Sequence, residues 1–324
     1  MSKFFVTGAT GFVGSHLCKN LIQSGHQVLA LVRSPEKARK LFGDSIEILE
    51  GDLTLFKNLG LKIPECDQVI HLAGVVNAKS TSEYHEVNFQ AVKDFVACLQ
   101  RQSWRPKRFL FASSLAAAGP SGDTPHTETD PPYPIDPYGN AKLAAERFLR
   151  EIDIPTTSFR PSIILGPLDT ATITLYKLAQ KGMAMKVGKS SQKLSFVDVD
   201  DVVDAIIKMA AEKGNEHKLY YISHPDPTDA VTIGKSIGKA MGKNVVTIPV
   251  SRLILWPAMI LSTFFCKIFG LTNKLDLKQY KQIIAPAFVC SGQRLQRDLN
   301  WKPRFNLMDS LTKALKGYKQ AGLL

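Results

Sequence analysis

Apolar positions in this chain fall into short continuous runs separated by stretches with helical spacing, and that alternation sets the fold. Phe4-Phe5-Val6 is followed by three spaced glycines and then by Val13, Leu17, Leu21 and Ile22 at helical spacing; Val28-Leu29-Ala30-Leu31-Val32 is the next run. Runs without polar alternation belong to strands buried on both faces, as in a parallel sheet covered by helices. The pattern repeats in Ile46-Glu47-Ile48-Leu49, in Gln68-Val69-Ile70-His71-Leu72-Ala73-Gly74 and in Arg108-Phe109-Leu110-Phe111-Ala112. A helix through Val87, Val92 and Phe95 separates the last two, and another runs through Leu143, Ala144, Phe148 and Leu149. The order predicts an α/β fold: a doubly wound parallel sheet over residues 1–165 with returning elements at 195–223, and a smaller C-terminal domain from 166–194 and 224–324.

Chemistry enters at the first turn. Glycines at 8, 11 and 14 also serve plain turn geometry, but these follow the first strand and open a helix. A side chain on Gly8 or Gly11 would keep backbone N–H groups away from a pyrophosphate, and one on Gly14 would push the helix off the strand. The helix N-terminus adds unpaired amides and a positive dipole end. Thr10, Phe12 and Val13 complete this cofactor-facing turn. Its Gly-x-x-Gly-x-x-Gly spacing resembles that of the short-chain dehydrogenase/reductases, which use a Rossmann sheet. At the tip of the second strand a carboxylate would bind ribose hydroxyls, whereas this chain has Arg33. Arg33, with Lys37 helping, is expected to meet a 2′-phosphate, so NADP(H) is preferred and NAD(H) is the alternative; the plain reading is a solvated loop arginine. The resemblance implies Asp52, followed by Leu53, beside the adenine, Ala73 and Gly74 close against the cofactor, and Asn88 as a brace. His71 is assigned no chemistry.

Further on, Ser113 and Ser114 end a strand, and Tyr138 and Lys142, four residues apart, share one helix face. Such a pair alone is common on surfaces; after a glycine turn and paired serines it is specific. The whole chain resembles an extended short-chain dehydrogenase/reductase, in the branch of NAD(P)-dependent epimerases/dehydratases, dihydroflavonol reductases and 3β-hydroxysteroid dehydrogenases. Phe159 to Pro167 resembles the segment that packs on nicotinamide, which adds Pro161 and Ile163 to the cofactor set. Phe196 to Val202 resembles the family's strand-to-helix return, and Arg297 to Pro303 its closing turn. The resemblance implies hydride transfer between nicotinamide and a hydroxyl or carbonyl carbon. Tyr138 would be the acid/base and Ser114 would hold the oxygen, while Ser113 braces the strand end. Lys142 would bind ribose hydroxyls and, with the oxidised nicotinamide, lower a phenol pKa that is otherwise about 10. Sugar-nucleotide members carry Val-Tyr where this chain has Ala117-Ala118, so open space and a fairly apolar substrate are expected. A nucleotide-sugar epimerase or dehydratase, and a non-catalytic dinucleotide-binding module, are the alternatives.

Composition adds limits. The chain has 324 residues, 44% hydrophobic and 22% charged, as in a globular protein with a sizeable core. Its five cysteines show no Cys-x-x-Cys pairing and its seven histidines no metal-ligand spacing, so no metal is expected and a reduced, cytoplasmic compartment is the default. The net charge of +12 is concentrated near the C-terminus. No nucleic-acid motif accompanies it, which leaves a solvated basic face, an anionic substrate or a membrane surface. Residues 253–271 carry no charge except Lys267, which with Ser262 and Thr263 makes a narrow polar stripe, and Pro257 and Lys267 break them up, so they should not span a bilayer, which takes about 20 apolar residues. They are expected either to line the substrate site or to rest on a membrane. A small-molecule substrate and a homodimeric partner complete the expected partners.

Overall fold

The computed structural model describes residues 1–122, 124–187, 192–251, 253, 255–257, 259–260 and 280–324. In chain order the strands are β1 (Lys3–Thr7), β2 (Gln27–Val32), β3 (Glu47–Glu50), β4 (Gln68–His71), β5 (Arg108–Ala112), β6 (Thr156–Pro161) and β7 (Ile163–Leu165). They continue as β8 (Met183–Val187), β9 (Lys193–Leu194), β10 (Phe196–Asp198), β11 (Lys218–Ile222), β12 (Val246–Val250) and β13 (Ala287–Phe288). The central sheet has seven strands, in the order β11-β6-β5-β4-β1-β2-β3, and every pairing is parallel. The winding reverses between β1 and β4, and a sheet of this kind opens a crevice at the carboxyl ends of its strands at that point.

Helices α1 (Phe12–Gln23), α2 (Pro35–Phe42), α4 (Ala91–Gln100), α5 (Pro137–Leu149) and α7 (Val199–Ala210) cover the two faces, with α3 (Thr81–His85) beside α5, while α6 (Ile173–Gln180) and α8 (Ala230–Ala240) lie apart from the sheet. Alternation along the strands divides the core. Phe4, Val6, Ala30 and Leu110 pack with Leu17 and Leu21 of α1 and Ile206 and Met209 of α7. Phe5, Leu31, Val69 and Phe109 pack with Val92 and Phe95 of α4 and Leu149 of α5. Successive side chains point to opposite faces of a strand, so one apolar run supplies both layers.

A separate core joins Tyr176, Ile233, Ile237, Leu311, Leu315 and Tyr318. Within residues 195–223, β11 completes the central sheet, whereas β10 pairs with β7 outside it. The return also reaches further than that. Leu295 and Trp301 pack into the α1/α7 layer, and Trp301, fully buried, donates its indole N–H to Asp201 O at 3.0 Å. Most of 253–271 lies outside the described residues; at its start Leu255 and Met259 are buried, while Leu253, Trp256 and Ile260 are exposed. Among the described residues no helix is long and apolar enough to cross a membrane.

Candidate active site

The cofactor-facing turn is built by contact. Gly8 has φ +74°, and a Cβ there would lie 2.8 Å from Ala73 N. One on Gly14 would lie 2.1 Å from Gly8 O, so α1 meets β1 as closely as backbone allows. Gly11 caps α1 without a side-chain acceptor, and no acidic residue occupies the first turn, so its leading amides face the crevice without an internal anion. Thr10, Phe12 and Val13 are half-buried around them. This cradle fits a dinucleotide pyrophosphate.

The ends of β2 and β3 lie side by side. Arg33 is exposed after β2, and Asp52 caps a short 3-10 turn that opens with Leu53. Hydrogen bonds from Thr54, with the charge of Arg33 adding to them, hold the Asp52 carboxyl below its ordinary range. At the end of β4, Ala73 is half-buried, and a Cβ on Gly74 would stand 2.6 Å from Asn88 Oδ1 and 3.2 Å from Lys142 Nζ. Asn88 is buried in a π-helical turn, where it accepts from Val75 N at 3.0 Å and donates to Val75 O at 2.9 Å. Pro161 closes β6 and Ile163 opens β7, both half-buried at the strand ends.

Helix α5 starts sharply because Asp136 accepts from Gly139 N and Pro137 takes the first position. That start aims Tyr138 at Ser114. The two line one cleft of about 230 Å³ with Val76, Tyr84, Ala116 and Gln282. Ser114 Oγ accepts from Ala116 N at 3.1 Å, which leaves its hydroxyl hydrogen to donate. Lys142 is buried one turn below; its Nζ donates to Ala112 O at 2.8 Å and sits 4.8 Å from the Phe111 ring.

Burial sets the electrostatics of the protein's own two groups. Burial pushes Tyr138 up to about 12, against the pull of a Ser114 hydrogen bond. Lys142 is turned toward the strand end, 6.0 Å from the Tyr138 ring centre, and burial brings it down to about 8 while Glu146 acts the other way. Desolvation is the largest effect on both groups, and the charges of Asp136 and Tyr84 add to it at Tyr138.

Sequence reasoning missed the layer beneath. Glu146, a turn below Lys142, takes two bonds from Arg160, at 2.8 and 2.6 Å, and one from the Ser113 hydroxyl. Arg160 also donates to the Tyr221 hydroxyl at 2.7 Å, so β5, β6, β11 and α5 are tied by one buried network. The only sequence signal was Glu146 following Lys142 at helical spacing. Gln282 was missed as well: it reaches the cleft from a distant segment and donates to Asp136 Oδ2.

One expectation is corrected. Ala117 and Ala118 leave no open space, since both are buried and Ala118 packs with Leu115, Tyr221 and Cys290. The neighbouring residues 120–122 and 124–137 are tied to the strands beside them. Ser121 N and His126 N donate to Ala287 O and Val289 O, and Glu128 accepts from Tyr221 N at 3.0 Å.

A family model described as the NAD dependent epimerase/dehydratase family matches residues 4–223. Ceramide reductase of Caulobacter vibrioides is 29% identical over 62% of this chain and 59% of its own length. The 3-beta-hydroxysteroid dehydrogenase of Mycolicibacterium neoaurum is 24% identical over 98% of this chain and 92% of that protein. The solved structure of UDP-glucuronic acid 4-epimerase from Bacillus cereus in complex with NAD superposes with a TM-score of 0.78 at 19% identity, covering 98% of this chain and 99% of that one. With the glycine cradle at the sheet's reversal point and the match over residues 4–223, the chain belongs to the NAD dependent epimerase/dehydratase family and is an NAD(P)-dependent oxidoreductase.

Proposed function

We propose that the protein is a reductase or dehydrogenase that prefers NADP(H) and acts on a hydroxyl or ketone of a fairly apolar small molecule, in the cytoplasm and against a membrane surface. The observation that carries this is one cleft into which Ser114 and Tyr138 open together, with Val76, Tyr84 and Ala116 as its walls. The names of the ceramide reductase and hydroxysteroid dehydrogenase relatives support an apolar substrate.

The cofactor would lie along Gly8, Thr10, Gly11, Phe12, Val13 and Gly14, with Asp52 and Leu53 at the adenine end and Ala73, Gly74, Pro161 and Ile163 toward the nicotinamide. Arg33 would hold a 2′-phosphate. A bound nicotinamide supplies or accepts the hydride. Tyr138 Oη gives its proton to the substrate oxygen during reduction and takes it back during oxidation; the Ser114 hydroxyl donates to the same oxygen. Since the protein alone holds the phenol high, Tyr138 is well suited to keep its proton until the oxygen develops negative charge. Lys142 has two further N–H groups to offer the ribose hydroxyls.

The test is Tyr138→Phe, assayed by NADPH oxidation against apolar ketones. A rate loss of about 10²–10⁴ with cofactor binding intact is expected. Unchanged turnover would remove Tyr138 from the chemistry, and turnover of nucleotide sugars without net redox change would make the enzyme an epimerase.

A further inference from the structure

The lobe formed by α6, β8, α8 and β12 has a one-sided charge. Residues 171–187 and 230–251 contain Lys177, Lys181, Lys186, Lys235, Lys239 and Lys243 and no Asp or Glu. All but Lys186 are exposed. Lys235, Lys239 and Lys243 converge with Val245 on an open recess of about 390 Å³, where Lys243 Nζ also donates to Gln180 O at 2.7 Å.

One residue beyond that recess an apolar face begins. Val246 is 70% exposed, and Ile248 and Met185 are each 39% exposed. Residues two apart share a side of a strand, and the register sets Met185 opposite Ile248, so these side chains form one outward face. The inward face, Ala184 opposite Thr247, is already packed: a Cβ on Gly234 of α8 would lie 2.6 Å from Ala184 Cβ. The outward residues therefore belong to no core among the described residues. Just after β12 the described positions are helical, and Leu253, Trp256 and Ile260, spaced as one helix face, remain exposed while Leu255 and Met259 are buried.

We propose that this lobe docks on an anionic lipid bilayer, its exposed strand and helix residues entering the boundary between headgroups and acyl chains while the lysines meet the anionic headgroups. This rests on, and deepens, the membrane-surface association proposed above. Exposed apolar side chains on a lobe whose residues 171–187 and 230–251 carry lysines and no carboxylate match that boundary, and tryptophan is at home there. A second copy of the chain matches it poorly, because a two-fold contact would set the lysines against themselves.

The experiment is sedimentation of the full chain with phosphatidylglycerol-containing vesicles and with phosphatidylcholine-only vesicles, at low and high salt. Binding to the anionic vesicles alone, fading with salt, is expected. Lys239→Glu/Lys243→Glu and, independently, Lys177→Glu/Lys181→Glu should each weaken it by about tenfold or more. Val246→Thr/Ile248→Thr should weaken it with every lysine in place. Unfolding midpoints and NADPH binding, measured in parallel, should not move for at least one variant of each kind. The proposal is overturned if the wild type ignores anionic vesicles, if folded variants bind as well as wild type, if inorganic phosphate displaces the protein at matched ionic strength, or if the substitutions change oligomeric state instead. Vesicle binding that persists in a protein with no reductase activity would sink the proposed chemistry and leave the docking standing.

Discussion

Replacing Glu146 by glutamine nearly preserves shape and removes one charge from the layer beneath the site. The side chains of Arg160 and Glu146 are 2% and 1% exposed, so water cannot replace what is lost. Arg160 would keep its charge with only neutral acceptors, the new amide oxygen and the Tyr221 hydroxyl at 2.7 Å. Removing one partner of a buried ion pair costs about 3–5 kcal/mol, and the retained amide acceptor places Glu146→Gln near 3 kcal/mol, about the lower end of that range. Urea unfolding at pH 7 measures it. The second consequence concerns Lys142, which burial lowers to about 8 with Glu146 acting upward. Without that carboxylate the lysine loses its proton at a lower pH. Its pKa in the folded protein lies below the unfolded value of about 10.4, so the unfolded chain binds more protons between the two, and stability rises with pH across that window. The variant widens the window toward acid. NADPH affinity, followed by fluorescence across pH, should fall with a midpoint near 8 in the wild type and below it in Glu146→Gln. A stability loss under about 1 kcal/mol, or a midpoint moved to higher pH, would refute the reasoning.

Arg33→Ala should weaken NADPH binding by about 1–3 kcal/mol and leave NADH binding nearly unchanged; equal losses in calorimetry would free Arg33 from the 2′-phosphate role. Gly74→Ala would push its Cβ to 2.6 Å from Asn88 Oδ1, so about 1–3 kcal/mol of stability should go in thermal unfolding, with cofactor affinity falling alongside it. An unchanged melting curve would show that Asn88 yields freely. Trp301→Ala should cost about 3–5 kcal/mol in urea unfolding, although Trp301 lies far along the chain from the sheet it covers; a loss near that of an exposed residue would contradict its place in the core.

What the sequence disclosed was local. The first turn could be read because strand, glycines and helix are contiguous, and Tyr138 and Lys142 because helical spacing alone places them together. The buried network could not be read so directly, since Ser113, Glu146, Arg160 and Tyr221 come from four elements that meet only when the sheet is assembled. Gln282 enters the cleft from a segment with no spacing relation to Asp136. The space expected at Ala117 and Ala118 was inferred from small side chains, but small residues also let backbones approach. Gly119, next to them, has φ +88°, and a Cβ on it would lie 2.0 Å from Tyr133 O, so the neighbouring loop fills that room. Tyr138 illustrates the same limit: the lysine one helical turn away was legible, the burial that raises the phenol was not.

The return of Leu295 and Trp301 to the first layer bears on how the chain folds. Elements up to β11 contain every strand of the central sheet, yet the α1/α7 layer is sealed by residues far beyond β11 in the chain. Asp201 waits on the same segment, since its carboxylate is satisfied by Arg304 N and Phe305 N. The nucleotide-binding half is therefore not a finished unit to which a second lobe is added. Its α1/α7 side is completed only when the segment carrying Leu295, Trp301 and Arg304 docks, so the two halves fold as one cooperative unit.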